Sequence, residues 1–454
     1  MRRLAALLLW SLASLPTAWA GEAPEPPAAD APLPPPPGWL AGLDALYDAR
    51  IRVPGLEDRR FQPEHWWAVA APLLEGSRRF KVEEIGRSVE GRPLRHVAWG
   101  DGDTHVLLWS QMHGDESTAS MALADLFRFL ADHPGHPLVR RLHRDTRLHV
   151  LPIVNPDGAA RFERRNAQGI DINRDARALV SPEARVLHDL RERVRPAFGF
   201  NLHDQQVGYR VGGSTRGTAV ALLAPAFNEA REVDATRGRA IELAVAVRAV
   251  LEPYIGGHIA KWDDTYNPRA FGDLTAGAGV STLLIESGGI EGDLHKQRLR
   301  KLNFLALVGA LDAIATGSHA GLPRQRYDEL PRNGKVWSDL LVTGATLAPP
   351  GQPRAQVDVL VDFSQPLLER GGTIEDIGDL ADAGARRTIR AHGLFLVPFA
   401  APGAPAQARS GPLLPDMPAY FHLSRDPQGL DVVWTLAGDV DPAQPEPSRR
   451  NRRD

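Results

Sequence analysis

Three short apolar runs, Val106 to Trp109, Phe198 to Leu202 and Ser281 to Ile285, each lead into side chains that can do chemistry. His113 to Glu116 follow the first, His203 ends the second and Glu286 ends the third. Such runs, without polar alternation, suit strands buried on both faces, as in parallel sheets covered by helices. Longer amphipathic segments separate them. Ser117 precedes Met121, Leu123, Leu126, Phe127 and Leu130 at helical spacing and is placed to cap that helix. Ser181-Pro182 opens a segment carrying Leu187, Leu190 and Val194, with Leu148 to Val154 expected as the strand before it. Ile241, Val245 and Val247 mark another helix, and Leu299, Leu302, Leu305 and Leu311 one more, stopped by Gly317. The pattern predicts an α/β sandwich. If the three strands run parallel, their carboxyl ends bring His203, Glu286 and the His113 turn to one edge, where ligands bind in open α/β sheets.

The chain divides by texture. Arg2 and Arg3, the apolar run Leu4 to Leu12 and the small-x-small ending Ala18-Trp19-Ala20 read as an export signal over residues 1–20, too short to span a bilayer. Residues 21–38 hold Pro24, Pro26, Pro27, Pro32 and Pro34 to Pro37 and read as a linker. The α/β pattern then predicts one layered domain over 39–318. From 319 to 440 the pattern changes: Val357, Val359, Val361 and Phe363 alternate with polar residues, and Leu394 to Val397 and Leu430 to Trp434 read as strands. This predicts a smaller C-terminal β-rich accessory domain, with a polar tail over 441–454. Export places the protein in the periplasm or medium of a bacterium, with no transmembrane span once the signal is removed.

Composition removes several function classes. The 53 Lys and Arg against 56 Asp and Glu leave a net charge of −3, so no basic field exists to hold nucleic acid. The chain has no Cys, hence no disulfide, no thiolate metal site and no Cys nucleophile. A metal site here uses His and carboxylate. His113-Gly114-Asp115-Glu116 puts an imidazole and a carboxylate three residues apart on a turn, and a catalytic zinc site takes three such ligands and keeps one position open. Glu286 closes an apolar strand, where a carboxylate is rare unless it is paired or functional.

Further motifs stand in order around these residues: Ile85-Gly86-Arg87-Ser88-Val89-Glu90-Gly91-Arg92, then Asn155-Pro156-Asp157-Gly158, Arg164-Arg165-Asn166 and Gly169-Ile170-Asp171-Ile172-Asn173-Arg174. From about Ile85 to Glu286 this string resembles the zinc carboxypeptidase family, the group that includes pancreatic carboxypeptidase A. The resemblance implies a mixed, mostly parallel sheet sandwiched by helices and one Zn²⁺ ion held by His113, Glu116 and His203. It also implies that Asp171 orients His113, that Arg164 stabilises the oxyanion, and that Asn173 and Arg174 grip a free C-terminal carboxylate. Glu286 falls on the family's general base and Tyr266 most nearly on its closing tyrosine. The base of the specificity pocket falls on Asp273 when registered from Tyr266 and on Phe271 when registered from Glu286, implying a basic or an apolar side chain respectively.

The resemblance therefore implies an exported zinc metallocarboxypeptidase, a hydrolase of peptides or peptide-like substrates with a free C-terminal carboxylate. Two alternatives stand beside it: an amidase on the same scaffold acting on cell-wall peptides or acylated amino acids, and a non-catalytic peptide-binding module. The family usually has Asn where this chain has Asp175, an extra charge that would weaken the carboxylate grip or meet a substrate ammonium group. Oligomeric state has no signature in the sequence.

Overall fold

The structure, a computed structural model, describes residues 31–334, 336–366, 369–400 and 413–437. The export signal, linker residues 21–30 and the tail at 441–454 lie outside the described residues. Eight strands form the first sheet: β1 (Phe80–Arg87), β2 (Pro93–Trp99), β3 (Thr104–Ser110), β4 (Thr146–Leu151), β5 (Phe198–Asp204), β6 (Val220–Leu223), β7 (Ile259–Lys261) and β8 (Ser281–Ser287). Their spatial order is β1-β2-β4-β3-β5-β8-β6-β7. β4, β3, β5 and β8 run parallel at the centre; β2 joins antiparallel on one side and β6 on the other, giving the expected mixed sheet.

Both faces are covered. Val106 and Leu108 of β3 point into the larger core, with the helices Thr118–Asp132, Ala235–Ile255 and Gln297–Thr316. Leu107 and Trp109, one residue out of phase, point into a second core with Leu187 and Leu190 of helix Pro182–Val194 and with Phe271. By the same period of two, Phe200, Leu202, Leu283 and Ile285 face the larger core, which turns His203 and Glu286 to the opposite face.

Two local expectations change. Ser117 occupies the N-cap position, but its hydroxyl donates to Arg59 O at 2.7 Å instead of capping the helix. β4 stops at Leu151, short of Val154, because Pro152 has no N–H to give the ladder. In the proline-rich stretch, Leu33 packs on the larger core and Ala31 O accepts from Arg326 Nε at 2.6 Å, so this end of the linker lies against the domain.

The larger core continues past residue 318. Tyr327 and Leu330 are buried in it, and the Tyr327 hydroxyl accepts from Ala224 N at 3.0 Å, so packing carries the first unit to about Leu330. The second sheet contains β9 (Ser338–Leu347), β10 (Ala355–Gln365), β11 (Arg370–Gly378), β12 (Ala385–Arg390), β13 (Phe395–Pro398), β14 (Tyr420–Ser424) and β15 (Val432–Ala437). It runs β11-β10-β9-β13-β14-β15, with β12 also on β9. Val359, Val361 and Phe363 bury on one face as their alternation predicts. β15 begins at Val432, two residues late, because Asp426 Oδ2 holds the N–H groups of Leu430 and Asp431 in a turn.

Candidate metal centre

The parallel pairing of β5 and β8 sets His203 directly beside Glu286. β3, on the other side of β5, ends at Ser110, and the next turn brings His113 and Glu116 to the same edge. This turn needs Gly114: a Cβ there would stand 2.0 Å from the backbone of Gly158. Gly158 is itself fixed by Asn155, whose side chain accepts from its N–H at 2.9 Å. The first motif of the string anchors the second. Asp157 accepts from Ser88 Oγ at 2.7 Å, Glu90 N at 3.0 Å and Arg92 Nη1 at 2.8 Å.

His113, Glu116 and His203 converge, each offering one ligand atom within 4.8 Å of the others. His113 Nδ1 lies 2.7 Å from Glu116 Oε1, and His203 Nδ1 lies 2.7 Å from Glu116 Oε2. All three are buried. Two imidazole nitrogens and one carboxylate facing a common point are the donor set of a catalytic zinc site. The other ring nitrogen of His113 is 3.1 Å from Asp171 Oδ1, the carboxylate partner that fixes a ligand imidazole's orientation.

Burial alone raises the pKa of Glu116, but His113 and His203 hold its carboxyl well below the usual range. Burial likewise opposes ionisation of Asp171, and the contacts with His113 and Arg164 outweigh it and lower its pKa. Arg164 Nε and Nη2 both donate to Asp171 Oδ2, at 3.1 and 2.9 Å, and its Nη1 lies 3.1 Å from His113 Nδ1. The guanidinium is therefore aimed at the cluster and held from behind.

Glu286 is the group with no such partners. It is buried, and its Oε2 has no hydrogen-bond partner. Burial raises its pKa well above the carboxylate range, the carboxylates of Glu116 and Asp204 raise it further, and Arg164 and Lys296 pull against them. The shift is in the direction that favours proton uptake by this carboxylate over its ionised neighbours.

The remaining sequence candidates are spread around this centre. Asn173 Oδ1 accepts from Phe271 N at 3.0 Å, and its Nδ2 lies 3.4 Å from His203 Nε2. Arg174 donates to the Asn173 carbonyl at 3.1 Å and has no carboxylate within ion-pair distance among the described residues. Phe271 is buried in the second core at the start of helix Phe271–Gly277. Asp273, in the first turn of that helix, accepts from Asn267 N at 2.8 Å, and burial pushes its pKa up to about 6. Tyr266 is half-buried in the loop before this helix, without a hydrogen bond to the cluster among the described residues. The Asp175 carboxylate accepts from Val180 N, Ser181 N and Ser181 Oγ, which ties its oxygens to the start of helix Pro182–Val194.

Sequence reasoning passed over Lys296, Asp204 and Tyr209. Lys296 is buried in the left-handed region at φ 52° and donates to Asp204 Oδ2 at 3.0 Å and to Ser287 O at 2.9 Å. Asp204 also accepts from Thr118 Oγ1 and Arg59 Nη2, and its N–H donates to Glu116 Oε2 at 3.1 Å. A carboxylate directly after His203 was the available signal for Asp204. Tyr209 and Lys296 carry no pattern and are placed by the fold.

Residues 73–197 match the family model described as zinc carboxypeptidase. That stretch includes His113, Glu116, Arg164, Asp171, Asn173 and Arg174 and ends before His203 and Glu286. The human carboxypeptidase N catalytic chain is 34% identical over 116 residues, covering 21% of this chain and 25% of that relative. Mouse carboxypeptidase Z is 32% identical over 127 residues, covering 23% and 19%. The chain thus spans about a quarter or less of the length of these relatives. Among solved structures, a metallo-carboxypeptidase from Burkholderia cenocepacia aligns at TM-score 0.46 and 21% identity, over 57% of this chain and 70% of that one. Carboxypeptidase A from Helicoverpa armigera aligns at TM-score 0.46 and 17% identity, over 62% and 81%. Over residues 73–197 the chain is thus similar to the zinc carboxypeptidase family.

Proposed function

We propose that the protein is an exported zinc carboxypeptidase that hydrolyses the C-terminal amide bond of a peptide, with Glu286 as general base. The observation that carries this reading is the pairing of a three-ligand His, Glu and His cluster with an unpartnered buried carboxylate one strand away. His113, Glu116 and His203 would hold one Zn²⁺, which supplies Lewis acidity and a bound water of pKa near 7. Glu286 accepts the proton of the attacking water and returns it to the departing amine. Arg164 offers its guanidinium to the oxygen on which charge develops, at low cost in reorganisation because Asp171 already fixes it. Arg174, free of an acidic partner among the described residues, grips the substrate carboxylate with a planar fork, beside Asn173.

No helix among the described residues is long and apolar enough to cross a membrane. The export reading rests on residues 1–20 of the sequence. The layered domain, the β-rich domain and the polar tail are proposed as the remaining organisation.

The test is release of C-terminal residues from a peptide panel by protein of known metal content. Untreated protein is expected to carry one zinc per chain and to release C-terminal residues. Protein stripped by chelator loses that activity and regains it with added Zn²⁺. Cleavage that survives removal of the ion overturns the reading, as does a zinc-loaded protein that binds peptides and cleaves none. The same panel decides whether Asp273 or Phe271 forms the pocket base, through preference for basic or apolar C-terminal residues.

A further inference from the structure

The segment that joins the two sheets does more than connect them. Pro331 O accepts from Lys261 N at 2.7 Å and Asn333 N donates to Lys261 O at 2.9 Å, so the segment pairs along β7, at the open edge of the first sheet. Its other side holds the loop that follows His203. Gly212 N donates to Arg332 O at 2.8 Å, Gly334 N to Arg210 O at 2.6 Å and Trp337 N to Gly208 O at 2.9 Å. Asn333 Nδ2 donates to Gln205 Oε1 at 2.5 Å. The Arg210 guanidinium lies over the Trp337 ring at 4.7 Å, and a Cβ at Gly384 of the β-rich region would stand 2.6 Å from that ring. Trp337 is thus wedged between the loop and the second sheet.

Tyr209 sits at the centre of what is held. Its ring packs edge-on against Trp262, the residue after β7, with centroids 5.3 Å apart. Its carbonyl accepts from Thr218 N at 2.9 Å, and Thr218 O accepts from Gly289 N at 3.2 Å. Gln205 N donates to Ser287 O at 3.0 Å, and a Cβ at Gly289 would stand 2.6 Å from Val207. The loop therefore lies on the end of β8, immediately beyond Glu286. Burial and the Glu286 carboxylate both raise the pKa of the Tyr209 hydroxyl, which keeps its proton and can donate it in a hydrogen bond.

We propose that Pro331–Gly334 and Trp337 form a clasp that positions the Tyr209 hydroxyl beside Glu286. The β-rich region then contributes to turnover through a tyrosine of the first domain. Trp337 is a positioning residue, and Tyr209 is the group it places at the substrate. Both edges of the space around Tyr209, the β7 side and the loop side, are bonded to Pro331–Gly334 and Trp337, so loosening that segment frees both at once. The inference rests on the carboxypeptidase reading, and wild-type turnover tests that reading separately.

The experiment is a double-mutant cycle on the full chain, reading kcat and KM for release of a C-terminal residue, with metal content measured in every protein. Trp337→Ala is expected to lower kcat about tenfold with zinc retained, since a misplacement of about 1 Å can cost more than that. Trp337→Phe, which keeps a ring under Arg210, recovers most of the loss. In a Tyr209→Phe background, Trp337→Ala changes kcat by less than about twofold, because residues acting through one another are not additive. Equal effects of Trp337→Ala in both backgrounds overturn the proposal, as does a loss that Trp337→Phe fails to rescue. Should Trp337→Ala not fold, Asn333→Ala removes the bond to Gln205 and runs through the same cycle, where equal effects in the two backgrounds again overturn the proposal. A wild-type protein that releases no residue defeats the carboxypeptidase reading instead.

Discussion

The Glu286→Gln protein is expected to release C-terminal residues about 10³-fold more slowly than wild type, within the span a positioned general base contributes, while keeping its zinc. Glutamine preserves size and burial and removes only the ability to take a proton. Because Glu286 is no member of the ligand cluster, metal content is unaffected, and KM changes little if peptide is held by Asn173 and Arg174. The pH profile carries a second signature. Desolvation and the Glu116 and Asp204 carboxylates raise the pKa of Glu286, so the base is protonated and idle at low pH and becomes active as pH rises through that raised value. The acid limb of kcat/KM therefore lies well above the usual carboxylate range in wild type and vanishes in Glu286→Gln. Kinetics over a pH series with metal analysis check both; a variant that cleaves within tenfold of wild type removes Glu286 from the mechanism.

The largest effect on stability is expected at Asp125→Asn. Asp125 and Arg300 are fully buried, with Arg300 Nε 2.7 Å from Asp125 Oδ2 and Nη2 2.5 Å from Oδ1. Asp125 also accepts from the Tyr47 hydroxyl and Val53 N, both at 2.8 Å, and Arg300 donates to the carbonyls of Val53 and Leu56. One ion pair thus joins the N-terminal segment to helices Thr118–Asp132 and Gln297–Thr316, which begin just after Glu116 and Lys296. Asparagine leaves the Arg300 charge in the core without its counterion, a change that costs about 3–5 kcal/mol. Thermal unfolding is expected roughly 5–10 °C lower. Removing both charges, as Asp125→Leu with Arg300→Met, costs less than the single change because no buried charge is left alone. A single variant that melts within a degree or two of wild type shows that water reaches the guanidinium and that the pair is not the tie proposed.

Much of this was legible because strand identity, alternation and motif order are local properties. The run Ser281 to Ile285 carries no charge and ends in Leu283, Leu284 and Ile285, so it reads as a buried strand with Glu286 at its end. His113 and Glu116 share one turn, and their neighbourhood follows from three residues of sequence. Where local reading went astray, a competing hydrogen bond or a missing one decided. Arg59 took the Ser117 hydroxyl, and Pro152 ended β4 early.

By itself the sequence determined which strands are buried, which residues stand at their ends as candidates for chemistry and that any metal must be bound without thiolates. Those properties depend on side-chain type and spacing along the chain, which folding does not alter. Only the tertiary structure decided that His203 and Glu286 are register neighbours, that Asp204, held by Lys296, braces the Glu116 carboxylate, and that Trp337 reaches the loop of Tyr209. Each of these joins residues separated by tens of positions or more, or depends on how strands pair. Such contacts are selected by packing and by the need to satisfy buried polar groups in the whole molecule, and no local pattern encodes them.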